Sequence, residues 1–178
     1  ETGKKNKPFM NKRITPELPK DVCPYIRKTF DIKGKVKSAR AYFTGLGVYE
    51  LYINGEKVGD EFLAPGCDSY KDWLQYQTYD ITDMLKEGKN TIGAIIGNGW
   101  AKGKFGFNGE SGSFEKNLKG GPSDIFTDIY MLLGDLEIET ETGVTVIGTD
   151  ESWQCAPSPI TFSSIYDGER YDANLEVP

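Results

Sequence analysis

Residues 48–58 have the sequence VYELYINGEKV, in which apolar and polar side chains alternate as far as Asn54-Gly55. Alternation with a period of two predicts a strand that buries one face. Asn-Gly between two such runs is the strongest short signal for a hairpin, because a type I′ turn needs positive φ at both central residues. The stretch therefore predicts a β-hairpin whose returning strand is short, at residues 56–58.

The segments on either side of this hairpin carry further strand signals. Between residues 80 and 88 we instead predict a short helical turn with Asp80 as its N-cap and Gly88 at its end. Apolar runs and alternation predict strands at residues 26–32, 39–44, 74–79 and 89–96, the last of these buried on both faces.

The second half of the chain begins with eight glycines within residues 97–123, which predict a long loop. Trp153 is expected to be a buried aromatic ahead of the final strand. We predict strands at residues 124–133 and 136–140, joined near Gly134-Asp135, then at 144–147 and around 160–162.

Many short strands, few helices and frequent turns indicate an all-β fold, an antiparallel β-sandwich or jelly roll. Residues 1–24 are predicted to be an N-terminal arm and residues 25–170 the sandwich. Residues 171–178 are predicted to begin a linker to further domains.

The composition excludes several classes of function. The chain has no histidine, which removes Ser-His-Asp and Cys-His catalysis and every zinc site that uses histidine. Its net charge of −6 is wrong for a nucleic-acid partner, and no apolar run approaches the ~20 residues that a membrane helix needs. Cys23, Cys67 and Cys155 lack a CxxC spacing and are expected to be small buried residues; one disulfide, and the cellular compartment, are left open.

A set of motifs in fixed order resembles the N-terminal domain of bacterial α-L-rhamnosidases of glycoside hydrolase family 78, over about residues 25–174. Each motif is weak alone, and the ordered set is specific. The motifs are ARAYFTGLGVYELYINGEKVGD (39–60), LAPG (63–66), QYQTYDIT (75–82), GKNTIG (88–93), GNGW (97–100) and YDGERYDA (166–173).

The resemblance implies a galactose-binding-like jelly roll ahead of a separate (α/α)6 barrel that carries the catalytic carboxylates. This chain alone is then expected not to be an enzyme. One departure from the family is Cys67, where relatives often have tryptophan after Ala-Pro-Gly, which puts that part of any surface site in doubt.

Sugar binding by the loops is the alternative, since aromatic rings can cover the apolar face of a pyranose while polar groups bind its hydroxyls. Packing in the core or against another domain is the competing interpretation for each tryptophan. Similar modules include rhamnose-binding members that use calcium, so the resemblance implies Ca²⁺ as a candidate cofactor, with no complete ligand set among these residues. The candidate residues are Glu50, Tyr70, Trp73, Asn98 and Trp100.

Two hypotheses are favoured. In the first, the chain is a non-catalytic domain that packs against the catalytic domain of the same parent chain or assists its substrate recognition. In the second, it is a module that binds terminal L-rhamnose of a glycan or glycoside. A small independent hydrolase ranks last, because it rests only on nearby acids such as Asp167 with Glu169, or Asp68 with Asp72. The segment 97–104 lacks the order of a phosphate-binding loop.

Overall fold

A computed structural model describes residues 9–10, 22–70, 72–103, 127 and 129–176 of the 178-residue chain. Two short 3-10 turns, Thr82–Met84 and Ala173–Leu175, interrupt the strands. The strands are β1 (Phe9–Met10), β2 (Pro24–Ile32), β3 (Val36–Leu46), β4 (Val48–Ile53), β5 (Glu56–Lys57), β6 (Gln77–Asp80), β7 (Gly88–Gly97), β8 (Met131–Thr140), β9 (Gly143–Gly148), β10 (Gln154–Pro157), β11 (Ile160–Ser164) and β12 (Gly168–Tyr171).

Every described strand pairing is antiparallel. The first sheet has the order β1-β8-β3-β6, with β9 also paired to β8, and the second has the order β10-β2-β7-β4-β5. Strands β11 and β12 form a separate two-stranded sheet. The prediction of an all-β antiparallel sandwich is confirmed; its galactose-binding-like character and the domain boundaries stay predictions.

The core lies between the two large sheets because each central strand alternates buried and exposed residues. Trp153 is buried as expected, with its ring edge-on to Phe43 at 6.4 Å and its Nε1 donating to the carbonyl of Gly148 at 3.1 Å. Burial of a side chain of this size contributes a large share of the stabilising apolar area.

The hairpin at residues 48–57 is confirmed. Asn54 and Gly55 both have positive φ, 53° and 90°, as a type I′ turn requires. The returning strand β5 has only two residues, so it ends before Val58.

The loop between β6 and β7 is held by Asn90, whose side chain is buried at 1% exposure and makes four hydrogen bonds. Its Oδ1 accepts from the Lys86 amide at 3.1 Å and from Asn54 Nδ2 at 2.9 Å. Its Nδ2 donates to the carbonyls of Lys86 at 2.6 Å and Gly88 at 2.9 Å. The Gly-Lys-Asn motif therefore ties this loop to the hairpin turn.

Several local predictions were wrong in β6 to β8. Strand β7 is buried on one face only, because its outward residues line a groove and stay half-buried. The N-cap of the 3-10 turn is Ile81; Asp80 instead accepts hydrogen bonds from Thr82 through its side chain. Strand β8 runs continuously through Gly134, where a Cβ would lie 2.3 Å from the carbonyl oxygen of Tyr42, so the glycine permits close strand approach and is not a turn.

Other differences lie at the strand ends. Of the strand expected at residues 74–79, only the part within β6 is paired. Strands β10 and β12 were not predicted. Strand β1 falls inside the predicted arm. Residues 104–123 of the predicted glycine-rich loop and residues 124–126 and 128 of the strand predicted at 124–133 lie outside the described ranges, and strand β8 begins at Met131.

No disulfide joins the three cysteines. Cys23 is buried as expected, Cys155 is half-buried and Cys67 is exposed, so the expectation of burial was wrong for Cys67. None of the helices in the described ranges is long and apolar enough to cross a membrane.

Candidate functional site

Glu50 lies on the outer face of the second sheet, where strand alternation turns its side chain away from the core. Its Oε1 accepts from Lys57 Nζ at 2.7 Å, and its Oε2 accepts from the Tyr52 hydroxyl at 2.7 Å. The hydrogen bond from Lys57 lowers the pKa of Glu50, against a smaller opposing effect of burial. This carboxylate is therefore held ionised by two neighbours on β4 and β5.

The face that carries Glu50 forms an open groove of about 550 Å³. Ligand sites commonly have volumes of about 300–1,000 Å³, so the groove can accept a small molecule or part of a glycan. The side chains that line it come chiefly from β2, β4 and β7: Tyr25, Arg27, Glu50, Tyr52, Thr91 and Ile95.

The register explains the shape of this groove. Tyr25 and Ile95 stand in one row with the glutamate, while Arg27, Gly93 and Tyr52 stand in the next. Gly93 has no side chain, and a Cβ built there would meet only the carbonyl oxygen of Ile26, at 3.5 Å. The floor is therefore open between the arginine and the tyrosine.

Asn98, just after β7, lies on the opposite side of that sheet and is buried at 1% exposure. Its Oδ1 accepts from the Tyr130 hydroxyl at 2.6 Å and from Lys102 Nζ at 3.4 Å. The Lys102 ammonium also lies 4.5 Å from the centre of the Tyr130 ring. Among the described residues, Asn98 Nδ2 has no hydrogen-bond acceptor. Asn98 is therefore a buried residue, and its role in carbohydrate binding stays a prediction.

Glu50 and Asn98 therefore do not fit one calcium site. Glu50 faces the outer groove, whereas Asn98 points toward core residues and its oxygen is already shared with a lysine ammonium. The described ranges also hold no group of three or more acidic, histidine or cysteine side chains placed to bind a metal. Calcium binding stays a prediction without assigned ligands.

Trp73 and Tyr70 belong to the loop between β5 and β6. Trp73 is 56% exposed, and hydrogen bonds from Gln75 to Asp68 at 2.7 and 2.9 Å hold the base of its loop. The Tyr70 hydroxyl donates to the carbonyl of Gly66 at 3.4 Å, and burial raises the pKa of Tyr70 to about 12. The loop thus presents one exposed indole beside a half-buried phenol.

Trp100 is half-buried, and its Nε1 donates to the Tyr166 hydroxyl at 3.3 Å. This contact joins the segment after β7 to the turn between β11 and β12. Trp100 thus packs beside the small sheet of this domain, and its part in sugar binding stays a prediction.

The structure therefore places the five candidates in four positions: Glu50 in the outer groove, Tyr70 and Trp73 in one loop, Asn98 buried after β7, and Trp100 against the turn between β11 and β12. Their role in sugar binding stays a prediction. Sequence analysis missed Tyr25, Arg27 and Tyr52 of the groove and the buried Lys102–Tyr130 pair. Alternation in β2 could have shown that Tyr25 and Arg27 share one exposed face; what faces them depends on strand order.

The sequence of the chain is similar to that of a known protein family. A family model described as "Alpha-L-rhamnosidase N-terminal domain" matches residues 34–178. An alpha-L-rhamnosidase of Formosa agariphila is 38% identical over 156 residues, which are 86% of this chain and 16% of that protein. An alpha-L-rhamnosidase of Streptomyces avermitilis is 37% identical over 144 residues, 80% of this chain and 13% of that protein.

Solved structures agree with this similarity. Alpha-L-rhamnosidase from Aspergillus terreus matches with a TM-score of 0.77 and 40% identity, covering 87% of this chain and 17% of that one. The Streptomyces avermitilis alpha-L-rhamnosidase complexed with L-rhamnose matches with a TM-score of 0.77 and 34% identity, covering 88% of this chain and 14% of that one. This chain thus spans less than a fifth of the length of each.

Proposed function

The chain belongs to the α-L-rhamnosidase N-terminal domain family, and on that premise we propose that it is a non-catalytic domain of an α-L-rhamnosidase. Its role is to pack against a catalytic (α/α)6 barrel of the parent protein, or to assist that barrel in recognising a rhamnose-containing substrate. The α-L-rhamnosidases that this chain matches are several times longer than it is, so they have ample length for a separate catalytic domain.

The composition of the groove carries this proposal. Glycoside hydrolysis normally uses two carboxyl groups, one of which keeps its proton because its pKa is raised. Among the residues that the structure describes, Glu50 is the one acidic residue that lines the groove, and its pKa is lowered by Lys57. One ionised carboxylate carries no proton to donate, and it does not form the pair of carboxyl groups that hydrolysis normally uses.

The test is hydrolysis of an aryl α-L-rhamnoside by the purified chain and, in parallel, by its full-length parent. We expect release of the phenol by the parent and none by the chain above the buffer background. A rate proportional to the concentration of the chain and abolished by Glu50→Gln would show that the domain is itself catalytic.

A second candidate function is recognition of terminal L-rhamnose, and the exposed indole of Trp73 favours it. A tryptophan that is 56% exposed keeps a large apolar surface in water unless a ligand or another domain covers it. The hydrogen bonds at the base of its loop reduce the ordering that binding would require.

Calorimetric titration of the chain with L-rhamnose tests this candidate. Trp73→Ala should abolish saturable heat, while Phe62→Ala, which removes another exposed aromatic ring at 82% exposure, should leave it unchanged. Repeating the titration with calcium and with a chelator tests whether the metal is needed. Equal affinity in the Trp73→Ala variant would refute the assignment.

A further inference from the structure

The outer groove contains a slot of defined width. Arg27 and Tyr52 stand on either side of Gly93 in the register, on strands two apart. Neighbouring strands lie about 4.8 Å apart, so the two Cα atoms are roughly 10 Å apart with no side chain between them. The slot is open enough for a flat ring to approach the backbone of β7.

Aromatic side chains border this slot. Tyr25 is 43% exposed, and Tyr52 is half-buried beside it. The Tyr52 hydroxyl donates to Glu50 Oε2 at 2.7 Å, so one end of this ring is held in place, and both tyrosines line the groove. Tyrosine rings of this kind provide apolar faces for the C–H groups of a sugar ring and hydroxyls at their ends.

The charge of the slot is positive although the protein is acidic, with a net charge of −6. Glu50 is neutralised by Lys57 at 2.7 Å. Arg27 donates from Nε to the uncharged Gln154 at 3.0 Å, and among the described residues no carboxylate lies within ion-pair distance of it. Its terminal guanidinium nitrogens therefore remain available to an anionic group.

From these three features we infer that the groove binds a saccharide that carries a carboxylate, that is, a uronate unit of a glycan. Arg27 binds the carboxylate with the planar, bidentate geometry that a guanidinium prefers. The sugar ring occupies the slot over Gly93, between the arginine and Tyr52, with Tyr25 at its edge. This site is distinct from the loop of Trp73 and does not depend on rhamnose recognition there.

The test is calorimetric titration of the chain with trigalacturonate, and with its fully methyl-esterified form, which has the same skeleton without charge. We expect saturable binding of the acid and at least about tenfold weaker binding of the ester, the value expected for loss of one charge-assisted hydrogen bond. Arg27→Gln should weaken binding of the acid by a similar factor.

Gly93→Val provides a second, independent variant. The glycine has no positive φ and has open space at Cβ, so valine fills the slot in a strand where β-branched residues are favoured. We expect loss of binding with an unchanged unfolding temperature. Arg40→Gln, an exposed arginine on the other sheet, is the matched control and should bind like the unaltered chain.

Absence of saturable binding at millimolar trigalacturonate would overturn the inference. So would equal affinities for the acid and the ester, or unchanged affinity in both Arg27→Gln and Gly93→Val. None of these outcomes bears on whether the domain is catalytic, which the rhamnoside assay decides separately.

Discussion

Replacing Asn90 with alanine should destabilise the domain strongly, although the residue is polar and small. Its amide is buried at 1% exposure and fills four hydrogen bonds, three of them to backbone groups of Lys86 and Gly88. Alanine removes the partner of these backbone groups, which lie in a partly buried loop where water replaces the lost hydrogen bonds incompletely.

The size of the effect follows from that count. A net hydrogen bond is worth about 1 kcal/mol, and an unsatisfied buried group costs about 1–3 kcal/mol. Three backbone groups lose their hydrogen-bond partner, and small shifts of the loop recover part of the cost. The free energy of unfolding should therefore fall by about 2–4 kcal/mol. With a urea slope of about 2 kcal/mol per molar, the midpoint should fall by about 1–2 M.

Urea unfolding followed by tryptophan fluorescence measures this change. Asn174→Ala is the matched control, because that asparagine is exposed and its amide bonds only to Asp172, at 2.8 Å. Its midpoint should move by less than about 0.3 M. Asn90→Asp should destabilise the domain at pH 7 at least as much as Asn90→Ala, because it places a buried carboxylate oxygen against the carbonyls of Lys86 and Gly88. A loss below about 0.5 kcal/mol for Asn90→Ala would refute the view that this network holds the loop.

Three further changes test the packing, the thiols and the groove. Trp153→Ala should lower the free energy of unfolding by about 3–5 kcal/mol, and Trp153→Phe by less, in the same urea assay; a loss below about 1 kcal/mol would contradict its place in the core. Ellman's reagent should modify exposed Cys67 in the folded chain, at a rate still rising beyond pH 9.0 because burial raises the pKa of that thiol, and should reach buried Cys23 only after unfolding. Lys57 lowers the folded-state pKa of Glu50, so the ionised carboxylate stabilises the folded domain. Glu50→Gln should therefore lower the free energy of unfolding by its full amount at pH 7, and by less below about pH 4.3, where the carboxylate of the unaltered chain becomes protonated. An equal loss at pH 7 and pH 3 in urea unfolding would contradict this.

The parts of the fold that sequence analysis predicted well are those with local causes. The hairpin at Asn54-Gly55 depends on two residues that tolerate positive φ, and the structure has both. Gly134 was predicted to lie in a turn, but it lies within strand β8. Its glycine is explained by the close approach of Tyr42 on another strand. A single sequence does not contain that approach.

In the candidate site, too, the features with local causes could be predicted and those that depend on other strands could not. Alternation places Tyr25, Arg27 and Glu50 outward on their strands, but only the strand order brings them to one groove. Asn98 is the reverse case: an asparagine in a glycine-rich segment suggested a surface ligand, and the structure buries it against Tyr130. Polarity alone does not show whether an asparagine lies at the surface or inside the domain, where its oxygen accepts an internal hydrogen bond.

The pairing of β10 with β2 has a consequence for how the protein is made. Arg27 and Gln154 are hydrogen-bonded neighbours that lie 127 positions apart in the chain. A ribosome therefore releases β2 long before the strand that covers its outer edge exists, and that edge stays open while the residues between β2 and β10 are synthesised. Contacts of such long range also slow folding, because the loop must close before the pairing stabilises it. The nascent domain should then depend on chaperones or on rapid synthesis of its last strands to avoid pairing its open edge with another chain.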